Sequence, residues 1–460
     1  MDFDPVILAR LQFAFTVSFH IIFPSFTIGL AAWITTLEGV WLWTGNQRYH
    51  QLAHFWTKIF AVSFGMGVVS GIVLSYQFGT NWSHYAHVVG NVVAPLIGYE
   101  VLTAFFLEAT FLGIMLFGWN KVPPWLHFIA CLCVAVGTTL SAFWILSANS
   151  WMQYPTGHEM RDGIAVPVDW LQVIFSPTFP LRLAHMVCAA YITTALVVLA
   201  VGARYWVAGR SIDQAETMIR MALGLLIILV PLQAFIGDAH GRKTAEYQPV
   251  KLAAIEGHWD EANGPADLVL FAWPDANEEK SLWQIGIPHL GSLLITHEWD
   301  GTYPGLKQFP KDDWPPLWGP FFGFRIMVGM LCLMLLTVVV GGVKWVSGRL
   351  FTNDIFMKSI RFVWPLGFVA VLAGWYTTEI GRQPWVATGL LRTDDAASPI
   401  HADVVLTSLV LFVFVYCTVF TFGVRYILRL LRKGPEAAEG ERTDALPSRP
   451  LSAAFPADKA

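Results

Sequence analysis

VWPLGFVAVLAGWYTTEIGRQPW (Val363–Trp385) decides how the rest of the chain is read. Its first 14 residues, through Tyr376, carry no charge, and the run then ends in Glu379, Arg382 and Trp385. An apolar run of this kind crosses a bilayer, and a carboxylate at its end calls for a partner or a task.

The composition extends that reading to the whole chain. Of 460 residues, 55% are hydrophobic and 13% charged, where a soluble protein carries about a quarter charged residues. Apolar stretches near Phe13–Trp43, Phe55–Gln77, Ala94–Phe117, Trp125–Leu146, Leu181–Ala203, Met218–Ile236, Phe321–Val343, Phe362–Tyr376 and Val404–Val424 each approach the roughly 20 residues that span a bilayer. The expected class is an all-α polytopic membrane protein of about nine transmembrane helices. The first apolar run has no basic leader before it and reads as a retained span. A formal net charge of -4 gives no footprint for nucleic acid. Cys131, Cys133, Cys188, Cys332 and Cys417 lie in apolar runs without a C-x-x-C pair and read as small buried hydrophobes.

Arginine and lysine set the orientation. Arg48, Lys121, Arg204, Arg210, Lys344, Arg349 and the Arg425–Lys433 cluster all fall in odd-numbered connections or after the last span. This places the N-terminus outside and the C-terminus in the cytoplasm. The expected division is helices one to six over residues 1–236, a periplasmic loop over 237–319, helices seven to nine over 320–432, and a polar, disordered cytoplasmic tail over 433–460. No internal repeat is evident.

An ionisable group at mid-bilayer costs about 2.5–3.5 kcal/mol, so each one needs a reason. His20 and His185 stand inside apolar segments, and Glu100 and Glu108 sit two helical turns apart in YEVLTAFFLEATF. Arg325 and Met327 open the seventh span, and Glu379 closes the eighth. With the orientation above, His185, Met327, Glu100 and Glu379 fall near outer ends, and His20 lies moderately deep. Imidazole, thioether and carboxylate are haem axial ligands, and a His/Met pair suits a six-coordinate, electron-transferring haem. Arg325 and Arg382 fit as counter-charges for propionates or a ligating carboxylate. A lone intramembrane His is as often a packing residue; the clustering toward one face favours the haem reading.

The strings RLQFAFTVSFH, FGTNWSHY, FFLEATF, LSAFWILSANSWMQ, KLAAIEGHW, FRIMV and AGWYTTEIGRQPW together resemble subunit 1 of the cytochrome bd-type ubiquinol oxidases, in a short-loop, cyanide-insensitive form. The resemblance runs through all nine spans. It implies that His185 and Met327 ligate a low-spin haem b, with Arg325 beside it. His20 and Glu379 would each serve one of two high-spin haems, one b-type and the other d or a third b. Glu100 would lie close to the oxygen-reducing haem, Glu108 and Ser141 on a proton route, and Lys251 and Glu256 in the quinol site. Trp375 would stack between haems. A second membrane subunit, a very small third one, the lipid bilayer, quinol and dioxygen are the implied partners, in a bacterial inner membrane. The expected reaction is ubiquinol oxidation by dioxygen to water, with chemical protons drawn from the cytoplasm. Two rivals are a haem b anchor passing electrons between quinone and another enzyme, and a transporter. The three membrane carboxylates oppose the first. The lack of repeated, broken helices opposes the second.

Overall fold

In lipid a helix satisfies every backbone group internally, so the apolar runs have one option. The computed structural model describes residues 4–260, 265–352 and 354–435. The helices are α1 (Pro5–Ile22), α2 (Pro24–Thr44), α3 (Gln47–Thr80), α4 (Ser83–Glu100), α5 (Phe106–Phe117), α6 (Pro124–Gln153), α7 (Trp170–Ile174), α8 (Phe179–Val207), α9 (Ile212–Tyr247), α10 (Pro249–Glu256), α11 (Leu290–Thr296), α12 (Trp318–Val346), α13 (Asp354–Ile360), α14 (Trp364–Ile380) and α15 (Ala402–Lys433). Among the described residues, eight helical stretches are long and apolar enough to cross a membrane, with α1–α2, α4–α5 and α7–α8 each counting as one. The ninth expected crossing is α14, whose 17 residues reach about 26 Å, close to the thickness of a hydrocarbon core.

Local signals set the helix ends. The Asp4 carboxylate accepts from the Val6 amide at 2.8 Å, and Pro5 fills the first position, where no N–H is needed. Pro24 separates α1 from α2 at Phe23. Gly45, at φ 69°, ends α2, and the Asn46 side chain accepts from the Arg48 amide at 3.0 Å to start α3.

Successive crossings alternate, so two ends are chemically distinct. One collects Arg48, Lys121, Arg204, Arg210 and Lys344 and is called the basic end. The other carries α10, α11 and three two-stranded antiparallel hairpins, and is called the loop end. The hairpins are β1–β2 (His158–Arg161, Ile164–Pro167), β3–β4 (Leu268–Asp275, Lys280–Ile287) and β5–β6 (Trp385–Ala387, Leu391–Arg392). At the centre, α8 is the most buried crossing and α15 the least. A Cβ on Gly29 of α2 would lie 2.4 Å from Thr194 Oγ1, and one on Gly367 of α14 would lie 2.5 Å from Thr193 Oγ1. Two adjacent threonines of α8 thus meet two neighbours at backbone distance.

Four features differ from the sequence reading. The 237–319 boundary marks where apolarity stops, whereas α9 continues to Tyr247 because Ala, Arg, Lys and Glu sustain a helix in water. The short hairpins add strand to a chain read as all helix. Cys332 and Cys417 are exposed on the outer surface of the bundle, where a thiol meets lipid as comfortably as core. A π-helical turn, Val101–Phe105, joins α4 to α5, with the Phe106 amide donating to the Val101 carbonyl. The expected tail lies, from residue 436 on, outside the described residues.

Candidate functional site

At the loop end, α14 delivers Glu379 into a nest of donors. Its Oε1 accepts from Asn149 Nδ2 at 3.0 Å and from Gln153 Nε2 at 3.3 Å. Its Oε2 is paired with Arg382, whose Nη1 also donates to the Val386 carbonyl at 2.6 Å. Arg182, buried on α8, donates to Asn149 Oδ1. Asn149 and Gln153 lie one turn apart on α6, so one helix face presents both amides. Gln153 Oε1 accepts from Lys251 Nζ and from Gln248 Nε2 at 2.9 Å. The nest is therefore continuous from α14 through α6 to α10. Despite these partners, 26% of the Glu379 side chain remains accessible, against 8% for Arg382. The carboxylate keeps an open side.

The outer loop supplies a second group. Lys251 and Glu256 are both buried on α10. Burial, reinforced by the Arg182 charge, pushes the Lys251 ammonium well below its ordinary value. Burial pushes the Glu256 carboxyl up, with Arg325 opposing. Glu256 Oε2, His258 Nε2 and the Tyr303 hydroxyl are buried without hydrogen-bond partners, and the His258 and Tyr303 rings lie 4.7 Å apart. Three unsatisfied polar groups together mark a place for a polar ligand. Arg325 is fully engaged here: it donates to the carbonyls of Val269 (2.6 and 3.0 Å), Ile255 (2.7 Å), Phe321 (2.8 Å) and Glu256 (3.4 Å). It clamps the loop to α12 and faces carbonyl oxygens.

Three of the four expected iron ligands, His20, His185 and Met327, each face a position without a side chain. A Cβ on Gly71 would lie 3.2 Å from the His20 ring, one on Gly237 3.5 Å from His185, and one on Gly374 3.0 Å from Met327 Sδ. All three ligands are only half-buried within the bundle. His20 Nδ1 meets Ser70 Oγ at 2.9 Å, and that hydroxyl donates to the Met66 carbonyl. Ser70 therefore accepts from Nδ1–H, which leaves the Nε2 lone pair free for a metal. His185 Nδ1 has no partner, and its ring lies 5.6 Å from that of His240. Trp375 is half-buried beside Gly374. Among the described residues no three His, Cys, Asp or Glu side chains converge as a bare metal ion would require. These single, separated ligands beside glycines fit a flat macrocycle that brings its own equatorial donors.

Glu100 and Glu108 both face α6. Ser141 Oγ donates to Glu100 Oε1 at 2.8 Å, and a Cβ on Gly137 would lie 2.6 Å from Glu108 Cγ. In a regular helix residues eight apart diverge by about 80°. The π turn absorbs one residue and returns both carboxylates to one face.

The structure thus brings Glu379, Arg382 and Lys251 into one network, Glu256 and Arg325 into another, and Glu100 and Ser141 into contact. Asn149, Gln153, Arg182, His240, His258 and Tyr303 join them without having been singled out in the sequence. The first two lie in WILSANSWMQ, and His258 in KLAAIEGHW; a polar residue spaced one turn from another inside an apolar run is the signal that was available.

Residues 8–435 match the family described as Cytochrome bd terminal oxidase subunit I. Cytochrome bd-II ubiquinol oxidase subunit 1 of Escherichia coli (strain K12) is 32% identical over 95% of this chain and 98% of its own length. Cytochrome bd ubiquinol oxidase subunit 1 of Bacillus subtilis (strain 168) is 34% identical over 94% of each. Among solved structures, the bd oxidase from Geobacillus thermodenitrificans superposes with a TM-score of 0.86 at 30% identity, covering 94% of this chain and 100% of that one.

Proposed function

The chain belongs to the cytochrome bd terminal oxidase subunit I family, and from that premise we propose how its residues serve a quinol oxidase of the bacterial inner membrane. The enzyme is a haem-containing respiratory oxidoreductase that works with a second membrane subunit, taking electrons from quinol and delivering them to dioxygen. The finer assignments below are our reading.

The observation that carries them is the repeated pairing of a ligand with a glycine: His20 with Gly71, His185 with Gly237, Met327 with Gly374. His185 and Met327 would hold a low-spin haem b. His20 and Glu379 would each hold a high-spin haem, the third group being d or b. Trp375 would pack between macrocycles. When bound, the haems supply one-electron transfer and the reduction of dioxygen to water.

The residues of the chain do the remaining work. Glu256, His258 and Tyr303 present an unsatisfied base, ring nitrogen and hydroxyl to the quinol headgroup. Glu256 Oε2 takes a quinol proton and releases it to the periplasm, the outer loop being the wet side. Arg325 holds this pocket on α12, two residues from Met327, which fixes the distance between quinol and the electron acceptor. Arg382, Asn149 and Gln153 orient Glu379. Arg182 and Lys251, beside them, offset its charge. Glu108, Ser141 and Glu100 pass chemical protons from the cytoplasm along α5 and α6. Uptake on one side and release on the other generate a proton gradient without a pump. The loop over 237–319 is the quinol-binding unit, ubiquinol is the proposed donor, and a very small third subunit completes the assembly.

The test is spectroscopic. His185→Ala and Met327→Leu should each remove the low-spin haem b band from the reduced-minus-oxidised spectrum of the purified complex. An unchanged band in either variant overturns the assignment.

A further inference from the structure

At the basic end, Glu38 of α2 is fully buried between two imidazoles. Its side chain is 0% exposed, that of His127 on α6 is 3% and that of His50 on α3 is 22%. His50 Nδ1 lies 3.7 Å from Oε1 and His127 Nδ1 lies 3.3 Å from Oε2. Trp119, in the loop after α5, covers the cluster, with ring centroids 4.2 Å from His127, 5.2 Å from His50 and 4.8 Å from His54. The Trp41 ring of α2 packs tilted against His50, centroids 4.2 Å apart. His54 on α3 also borders the cluster through Trp119, and so does Cys131 on α6, whose Sγ lies 3.8 Å from His127 Nδ1.

The hydrogen bonds fix where a mobile proton sits. His127 Nε2 lies 3.1 Å from the Met115 carbonyl, an atom that only accepts, so Nε2 carries a hydrogen. The contact between Nδ1 and Glu38 Oε2 therefore holds either one shared proton or an acceptor facing an acceptor. A carboxylate this deeply buried does not keep its charge without a compensating proton on itself or on a neighbouring ring. Of these three side chains His50 is the most exposed, at 22% against 3% for His127 and 0% for Glu38, so His50 is the member that meets the basic-end solution. Beyond His127, α6 carries Cys131, Val134, Thr138 and Ser141 at helical spacing on one stripe, and His127 to Ser141 spans about 21 Å. Glu108 meets that helix at Gly137 and Glu100 meets it at Ser141.

We propose that Glu38, His50 and His127 form a proton-loading site that draws protons from the inner solution and feeds the Glu108–Ser141–Glu100 route. It rests on the reading that the chemical protons come from the cytoplasmic side. His50, protonated by inner water, transfers its proton to Glu38 Oε1. Rotation of the carboxyl presents it to His127 Nδ1, and water in the seam between α5 and α6 carries it onward. His50 is then reprotonated, so charge is restored at each cycle and no electron moves.

The experiment uses the whole oxidase in liposomes, with a pH dye in the compartment facing the basic end. Quinol turnover, proton uptake, haem content and melting temperature are measured for wild type, Glu38→Gln, Glu38→Asp and His50→Asn. The expected result is a fall of about 10- to 100-fold in turnover and uptake for Glu38→Gln, with full haem content and wild-type melting. Glu38→Asp should restore most of the rate, and His50→Asn should fail increasingly as pH rises. Electron delivery by an artificial reductant should slow equally, since the block lies at the oxygen-reducing step. Unchanged uptake in Glu38→Gln overturns the proposal, as does a loss of melting temperature and haem content shared by Glu38→Asp, which marks a structural tie. If Glu38→Gln fails to assemble, His50→Asn decides, and a wild-type pH profile there overturns the proposal. Wild-type uptake from the opposite compartment would instead remove the underlying reading of sidedness.

Discussion

Two carboxylates, one at each end of the bundle, are held in opposite ways. Glu379 sits with Arg382 on one oxygen, two amides on the other, and Arg182 and Lys251 close by. Glu38 has imidazoles on both oxygens. A guanidinium never gives up its proton in a protein, so the nest around Glu379 is a fixed charge pattern suited to holding an iron ligand in one protonation state. Imidazole exchanges protons near neutral pH, so the cluster around Glu38 is suited to traffic. The same side chain is suited to ligation or to proton transfer according to its partners.

The largest effect expected from breaking this contrast is at Glu379. Glu379→Ala leaves Arg382, Arg182 and Lys251 facing one another, and stripping one partner from a buried ion pair costs about 3–5 kcal/mol. High-spin haem content and oxygen consumption should fall together, by haem extraction and oxygen electrode, while the low-spin band persists. Normal haem content with full oxygen consumption would reduce Glu379 to a charge partner of Arg382.

Next in size is Glu256→Gln. The amide keeps the shape and loses the base, so quinol oxidation should drop by about 10²–10⁴-fold with haem content retained. Part of the activity with an artificial reductant should survive, which distinguishes this loss from the Glu38→Gln phenotype. The pH dependence has a definite sign. Burial raises the Glu256 carboxyl, so its basic form appears only as pH climbs past that raised value. The acid limb of quinol oxidation should therefore lie above the ordinary carboxylate value of about 4.3, and should vanish in Glu256→Gln. An acid limb unchanged by the substitution assigns it to another group.

The smallest effect is expected at Arg325. In Arg325→Lys one ammonium replaces a planar fork that reaches four carbonyls, and a lost charged hydrogen bond is worth about 1.5–3 kcal/mol. The outer loop should become more sensitive to limited proteolysis and KM for quinol should rise, with little change in the haem spectra. A changed low-spin band with an intact loop would show instead that Arg325 acts on the haem itself.

The crossings were legible because a bilayer admits so few solutions. Long uncharged runs become helices, and arginine and lysine mark one end. Proline and glycine at Pro24 and Gly45 also mark their breaks plainly. The candidate ligands stand out in the sequence for a related reason: His20, His185 and Glu379 are costly in lipid. Asn149 and Gln153 did not, since neutral amides at a span end look like ordinary interfacial residues until their partner, some 230 residues away, is known; Arg182 sits where a span begins, as interfacial arginines commonly do. Glu38 and His127 carry no mutual signal in the sequence: they are 89 positions apart, and only the packing of α2 against α6 brings them together. The π turn leaves no mark in the sequence, because Val101–Phe105 would serve as well in an ordinary helix.

That turn has a consequence best put in terms of chain length. Between Glu100 and Glu108 the helix holds one residue more than its geometry requires, as if a residue had been inserted and accommodated. Removing one residue from Val101–Phe105 would let the helix close up as regular α with both carboxylates still toward α6, whereas adding one would swing Glu108 by about 100° toward a neighbouring face. Any point substitution in the same five residues leaves the count unchanged. The spacing of the two acids is thus tolerant of shortening and intolerant of lengthening, an asymmetry that a pair of single-residue length variants, read by oxygen consumption, would expose.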